Sequence, residues 1–216
     1  AIEPNLMKPV YIRVMIGLFL LLGTSEIYSQ KRTDKQKLNR DERVQDLMNT
    51  LEIARYINNT NYSDIYDRSV LMYASSKGYT RACRILLRRG ADPNLQAIDG
   101  ATAGIYASYS GYTKIVRLLL KKGFDPNMQT LDGMSALMMA SQNGFTEIVQ
   151  LLLDNGANVN LQAADGFTSL MLASQNGYTG IVNLLLEKGA KVDIQDSNTK
   201  TTALIQSSLS GFTDAA

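Results

Sequence analysis

The chain has 216 residues, of which 45% are hydrophobic and 19% charged, and its formal net charge is +2 at pH 7. That balance suits a globular chain with a buried core, excludes global disorder, and is too close to neutral to imply a nucleic-acid or membrane-surface partner. The lack of histidine removes His-based acid–base chemistry, His metal ligation and Ser-His triads, while the single Cys83 removes an internal disulfide and any multi-cysteine zinc site.

Residue 1 is Ala, so Met7 is the expected start, with Ala1 to Leu6 as upstream read-through or an added remnant. Lys8 and Arg13 precede an apolar run from Val14 to Leu22, and a polar stretch ends near Tyr28-Ser29-Gln30. This order of basic, apolar and small residues reads as a secretory signal cut after Ser29, because the run is well short of the roughly 20 residues that span a bilayer. A periplasmic or secreted location follows, with no stable membrane insertion once the signal is removed. Residues 30–40 read as a solvated linker. Over 41–66 the apolar positions Val44, Leu47, Met48, Leu51, Ile53, Ala54 and Ile57 recur at broadly helical spacing. This stretch is expected to be a degenerate N-terminal capping repeat, since the first unit of a stack must present a polar face to water.

From residue 67 onwards the chain repeats itself every 33 residues. Gly100, Gly133 and Gly166 fall in register, as do Ala74, Ala107, Ala140 and Ala173, and then Leu86, Leu119, Leu152 and Leu185. Self-similarity at a short fixed period marks a stacked repeat architecture. Within each unit a Ser or Thr opens a short apolar helix, as in Ser135-Ala136-Leu137-Met138-Met139-Ala140, which ends at a glycine such as Gly144. Thr146 and Thr179 are then expected to cap a second helix, whose apolar stripe is Ile148, Val149, Leu152 and Leu153. Asn160-Leu161-Gln162 runs out as an extended finger, and Asp165-Gly166 turns it back. Gln96, Gln129, Gln162 and Gln195 share one finger position, where a ladder of side-chain hydrogen bonds or plain solvation is expected, with a polar strip for a ligand as the lesser alternative. Cys83 stands in register with Val116, Val149 and Val182 and reads as a small core residue.

The period, the Asp-Gly turn, the T-x-L-x-x-A run, the Gly-aromatic-Thr link, the I-V-x-L-L-L helix and the G-A-x-x-N tail together resemble the ankyrin-repeat family. The resemblance implies an all-α solenoid of stacked helix-turn-helix units with short β-hairpin fingers, four full units and one partial one over 67–216. The family's T-P-L-H run has lost its Pro and His: Val70 and Met72, Ala136 and Met138, and Ser169 and Met171 stand there. Thioether packing is expected in place of the histidine hydrogen bonds. At 99–131 a glycine, Gly104, replaces the expected Leu, and glycine inside a helix costs roughly 1 kcal/mol against alanine, so this should be the softest inner helix. At the far end Asn198-Thr199-Lys200 replaces the Asp-Gly turn with one residue inserted, and the run to Ala216 reads as a half unit, so a fragment or a frayed end is expected.

What the resemblance implies for function is recognition on a concave face made by finger tips and the exposed side of each first helix. The corresponding positions are Ile98 and Ala101, Leu131 and Met134, and Ala164 and Phe167 on the fingers, with packing of finger against finger as the alternative for Leu131, Met134 and Phe167. On the helices they are Ser76 and Lys77, Tyr109 and Ser110, Gln142 and Asn143, and Gln175 and Asn176. Apolar anchors beside neutral hydrogen-bonding groups suit a folded protein partner better than a phosphate backbone. The expected function is a non-catalytic, monomeric protein-interaction module with no metal and no cofactor, and Phe167 and Tyr109 should serve binding rather than stability. Two competitors are the repeat arm of a larger enzyme or toxin that continues beyond Ala216, and an immunity-like inhibitor of an exported enzyme. Arg81, Arg84, Arg88 and Arg89 face outward on one second helix and read as a solvated face, with an acidic docking patch as the lesser alternative.

Overall fold

The computed structural model describes residues 66–211. The expected signal, the linker, nearly all of the capping unit and the last residues of the chain lie outside the described residues.

Among the described residues there are nine helices: α1 (Val70–Ser76), α2 (Thr80–Arg88), α3 (Ala103–Tyr109), α4 (Thr113–Leu120), α5 (Ala136–Gln142), α6 (Thr146–Asp154), α7 (Ser169–Gln175), α8 (Thr179–Glu187) and α9 (Ala203–Leu209). Each is only seven to nine residues long. Helices of that length are not stable alone in water, so packing must supply what propensity cannot. The odd-numbered helices stack in one row and α2, α4, α6 and α8 in another, each odd helix to α7 also packing on the even helix that follows it. Ala74, Ala107, Ala140 and Ala173 are fully buried between rows, and Leu86, Leu119, Leu152 and Leu185 fill the seam behind them. Each fully buried leucine contributes roughly 1.5–3 kcal/mol. The architecture is the all-α repeat solenoid the register implies.

Capping differs between the two rows. Ser69, Thr102, Ser135 and Thr168 cap α1, α3, α5 and α7, each hydroxyl accepting the backbone N–H three residues on, while Thr202 at α9 makes no such bond. At α1 the Met72 thioether accepts the Ser69 N–H in return, at 3.3 Å. Methionine thus packs where the family has histidine and also takes up one weak hydrogen bond. Thr146 and Thr179, expected as caps, are instead the first helical residues; the cap positions belong to Phe145 and Tyr178, which make no side-chain capping bond. The reason lies between units. The rings of Tyr112, Phe145 and Tyr178 lie on Gly78, Gly111 and Gly144 of the preceding unit, so close that a Cβ there would meet ring carbon at 2.7–2.8 Å. These glycines also hold φ near +77°, which side-chain-bearing residues avoid.

The fingers close as turns without forming strands. Ala97 N–H donates to Ala101 O and Gly100 N–H to Ala97 O, both at 2.9 Å. An antiparallel bridge joins Gln129 and Ser135. The finger hairpins are thus tight turns whose arms are too short for a ladder.

Candidate functional site

Finger tips are held in line by their own backbones. Leu131 N–H donates to Asp99 O at 2.8 Å, Ala164 to Asp132 O at 2.9 Å and Ser197 to Asp165 O at 2.7 Å, while Ile98 reaches Tyr66 O at 3.0 Å. The glutamine ladder is present from Gln96 to Gln162, where Gln162 Nε2 donates to Gly166 O of its own finger. Gln96 Nε2 donates to Gly100 O within its own finger and to Gln129 O of the next, and Gln129 does the same with Gly133 O and Gln162 O. A second ladder, which the sequence reading missed, runs beneath it. Asn94, Asn127 and Asn160 each donate to a glycine carbonyl of the following unit and accept a backbone N–H from it at 2.7–2.8 Å. Its signal was the asparagine recurring in the G-A-x-x-N tail. These crossed bonds tie each tip to its neighbour, so the tips present side chains from a fixed frame.

On that frame the named positions divide. Ile98 and Leu131 stand on consecutive tips, 64% and 78% exposed, and Tyr109 on α3 is 57% exposed. Gln142, Gln175 and Asn176 are exposed, and Ser110 and Asn143 are half-buried. Asn143 and Asn176 each turn one amide N–H onto a carbonyl of their own helix at 2.8 Å, which leaves the amide oxygen and the second N–H on offer. Ala101 is buried and offers no surface, because its N–H is drawn onto the Asp99 carboxylate as the turn closes. Met134 and Phe167 are half-buried against Met138, Ala163 and Leu172. Phe167 packs finger against helix, so its removal should cost stability as well as surface, which favours the packing alternative at this position.

Tyrosines that the sequence reading passed over enlarge the first half of this face. Tyr73 lies 39% exposed on α1, edge-on to Tyr79 and with the Lys77 ammonium 5.9 Å from its ring centroid. Tyr106 on α3 donates its hydroxyl to Asp99 at 3.3 Å, beside Ile98. The signal was positional, since residues 73, 106, 139 and 172 share one place in the repeat. Down the array the face changes character: tips run Ile98, Leu131, Ala164, Ser197, and the helix position of Tyr109 becomes Gln142 and then Gln175. Apolar and aromatic groups are thus concentrated over the earlier units and amides over the later ones.

Cys83 is fully buried, its sulfur 3.6 Å from Ser75 Oγ. Among the described residues no three His, Cys, Asp or Glu side chains gather as metal ligands would, and no helix is long and apolar enough to cross a membrane. A search of curated proteins finds no match. A family model described as ankyrin repeats (3 copies) matches residues 39–130 and again 105–196, together well over half of the chain. With the helix pairs, the crossed finger bonds and the repeat register in agreement with that match, the chain belongs to the ankyrin-repeat family, whose repeats generally serve as protein–protein interaction modules.

Proposed function

We propose that the chain is an exported, non-catalytic recognition module that grips a folded protein with its finger tips and the exposed side of its inner helices. The observation that carries this is the pair Ile98 and Leu131, large aliphatic side chains exposed on adjacent, hydrogen-bonded tips with Tyr109 alongside. An apolar core of this kind, bordered by Gln142, Gln175 and Asn176, has the make-up of a protein interface: a few desolvated anchors within a hydrogen-bonding rim. The partner's apolar contact then falls on the units around Ile98 and Leu131, and its polar contact on the later ones. Export is supported by Lys8 and Arg13 ahead of the apolar run from Val14 to Leu22.

Charge placed on the two tips tests the reading. Ile98→Asp with Leu131→Asp should leave thermal unfolding within about 1 kcal/mol of the parent, as substitutions at exposed sites do. The same pair should remove a partner that cross-links to the parent chain in the exported fraction. Equal cross-linking by the double variant would dismiss the tips as the site.

A further inference from the structure

The outer row of helices carries a charge arrangement that the stacking does not explain. On α2 the cations are Arg81, Arg84 and Arg88, with Arg89 just past its end; on α4 they are Lys114 and Arg117, with Lys121 and Lys122 past its end. Arg84, Arg88, Arg89, Lys114, Arg117, Lys121 and Lys122 are exposed. Neither helix contains an acidic residue. Asp92 and Asp125, in the loops that follow, turn their carboxylates onto the backbone N–H groups of Asn94 and Asn127.

Further along the row the same register positions are used for ion pairs between units. Arg117 meets Glu147 at 3.1 Å, and Lys188 meets Asp154 at 2.9 Å. Shifted back by one unit, the first pair becomes Arg84 with Lys114; shifted back by two, the second becomes Arg88 with Lys122. Both are cation on cation. The fold therefore has places for attractive pairs on this row and fills them with repulsive ones between α2 and α4. Clustered like charge disfavours the compact state, and an anion bound across the two helices reverses that effect.

We infer that the α2–α4 outer face is a second docking surface, separate from the finger tips, for an acidic segment of a protein partner. The exposed cations form two stripes, Arg84 to Arg89 on α2 and Lys114 to Lys122 on α4, each roughly 8–12 Å long. Neighbouring helix axes lie roughly 8–10 Å apart and each helix is about 10–12 Å across with its side chains, so the two helices together present a face about 20 Å wide. Beyond it the row turns acidic at Glu147 and Asp154. A bilayer or a long duplex laid across the row meets those carboxylates, whereas an acidic helix laid along the stripes does not. A second copy of the chain is a poor occupant, because the acidic stretch of its outer row, α6, offers only Glu147 and Asp154 against seven exposed cations.

The test uses the full chain and a labelled alanine-rich helix bearing glutamate at every third and fourth position. Lys114→Glu with Lys122→Glu rebuilds on α2–α4 the pairs seen further along, so it should hold or raise Tm while weakening peptide binding by about tenfold or more at physiological ionic strength. Arg84→Gln with Arg88→Gln, which introduces no new pair, should weaken binding in the same direction. Ile98→Asp with Leu131→Asp should leave it unchanged, which keeps this surface distinguishable from the tips. Undiminished peptide binding by both cation variants overturns the inference. So does tighter binding of a short DNA duplex or of phosphatidylserine vesicles than of the peptide in the same buffer.

Discussion

Two regions depart from the repeat's own register, and they are accommodated in different currencies. At the seam between α3 and the end of α4, Gly104 stands where Leu71, Leu137 and Leu170 stand in other units, and Phe124 stands where they have Ala91, Ala157 and Ala190. The Phe124 ring lies over Gly104, so near that a Cβ there would come within 2.1 Å of it, and Phe124 is 4% exposed. A large and a small residue have exchanged places across one contact, and the volume is conserved. At the last finger, Asp196 takes the place of the buried Ala163, and Gln206, allowing for the inserted residue, that of Leu172. Here a polar network is exchanged for an apolar cluster. The buried Asp196 carboxylate accepts from the backbone N–H of Asn198, Thr199 and Thr201 and from both threonine hydroxyls, at 2.6–2.9 Å, and Gln206 donates to Thr201 in turn. A repeat array thus tolerates a break in register where the neighbour answers in kind, with volume for volume or donors for a charge.

The seam gives the largest effects. Phe124→Ala leaves the space beside Gly104 filled from neither side, so a loss of about 3–5 kcal/mol is expected by urea unfolding. Gly104→Leu against the native Phe124 ring should cost about 1–3 kcal/mol or more through overpacking. Combining Gly104→Leu with Phe124→Ala recreates the Leu137–Ala157 pairing and should recover most of both losses, since contacting residues couple. Additive losses would show that the ring and the glycine are not one packing unit.

That exchange marks how far the sequence could be read. Period, helix pairs, inner caps, core stripe and glutamine ladder were legible, because each rests on residues near one another in the chain or repeated at one position. Gly104 alone read as a soft helix. Its partner lies twenty positions on, and only the register comparison of Phe124 with Ala157 pairs the two. The same limit applied to the outer caps, where a contact with the preceding unit sets Phe145 and Tyr178 ahead of the threonines. At the candidate site, exposure of Ile98, Leu131 and Tyr109 followed the register. Burial of Ala101 and packing of Phe167 depend on how each finger closes onto its helix, which no periodicity encodes.

The last finger is the more pH-sensitive of the two regions. The Thr201 hydroxyl, followed by the backbone N–H and hydroxyl of Thr199, holds the Asp196 carboxyl well below its ordinary pKa of 3.8. A group whose pKa is depressed by folding contributes stability that is complete above the unfolded value and fades as pH falls toward the folded one. Asp196→Asn presents an amide NH₂ to donors and should unfold the α9 end more readily at neutral pH. The gap between parent and variant should narrow as pH falls below about 4, read by amide hydrogen exchange in α9. A gap that stays constant with pH would mean that the carboxylate charge is not what the five donors recognise.

The smallest effect separates the backbone of this finger from its side chains. Interior fingers turn through a glycine at positive φ, but Lys200 takes that conformation at φ 58° and, at the other end of the array, Asp67 at φ 54°. The left-handed region costs a residue with a Cβ roughly 1–2 kcal/mol, less for aspartate, whose short polar side chain bonds locally. Lys200→Gly should therefore stabilise the finger, by about 0.5–1 kcal/mol once the greater freedom of glycine in the unfolded chain is subtracted. Asp67→Gly should gain less. If Lys200→Gly instead loosens the finger, the Asp196 network must draw on the lysine side chain and not only on the path of the backbone beneath it.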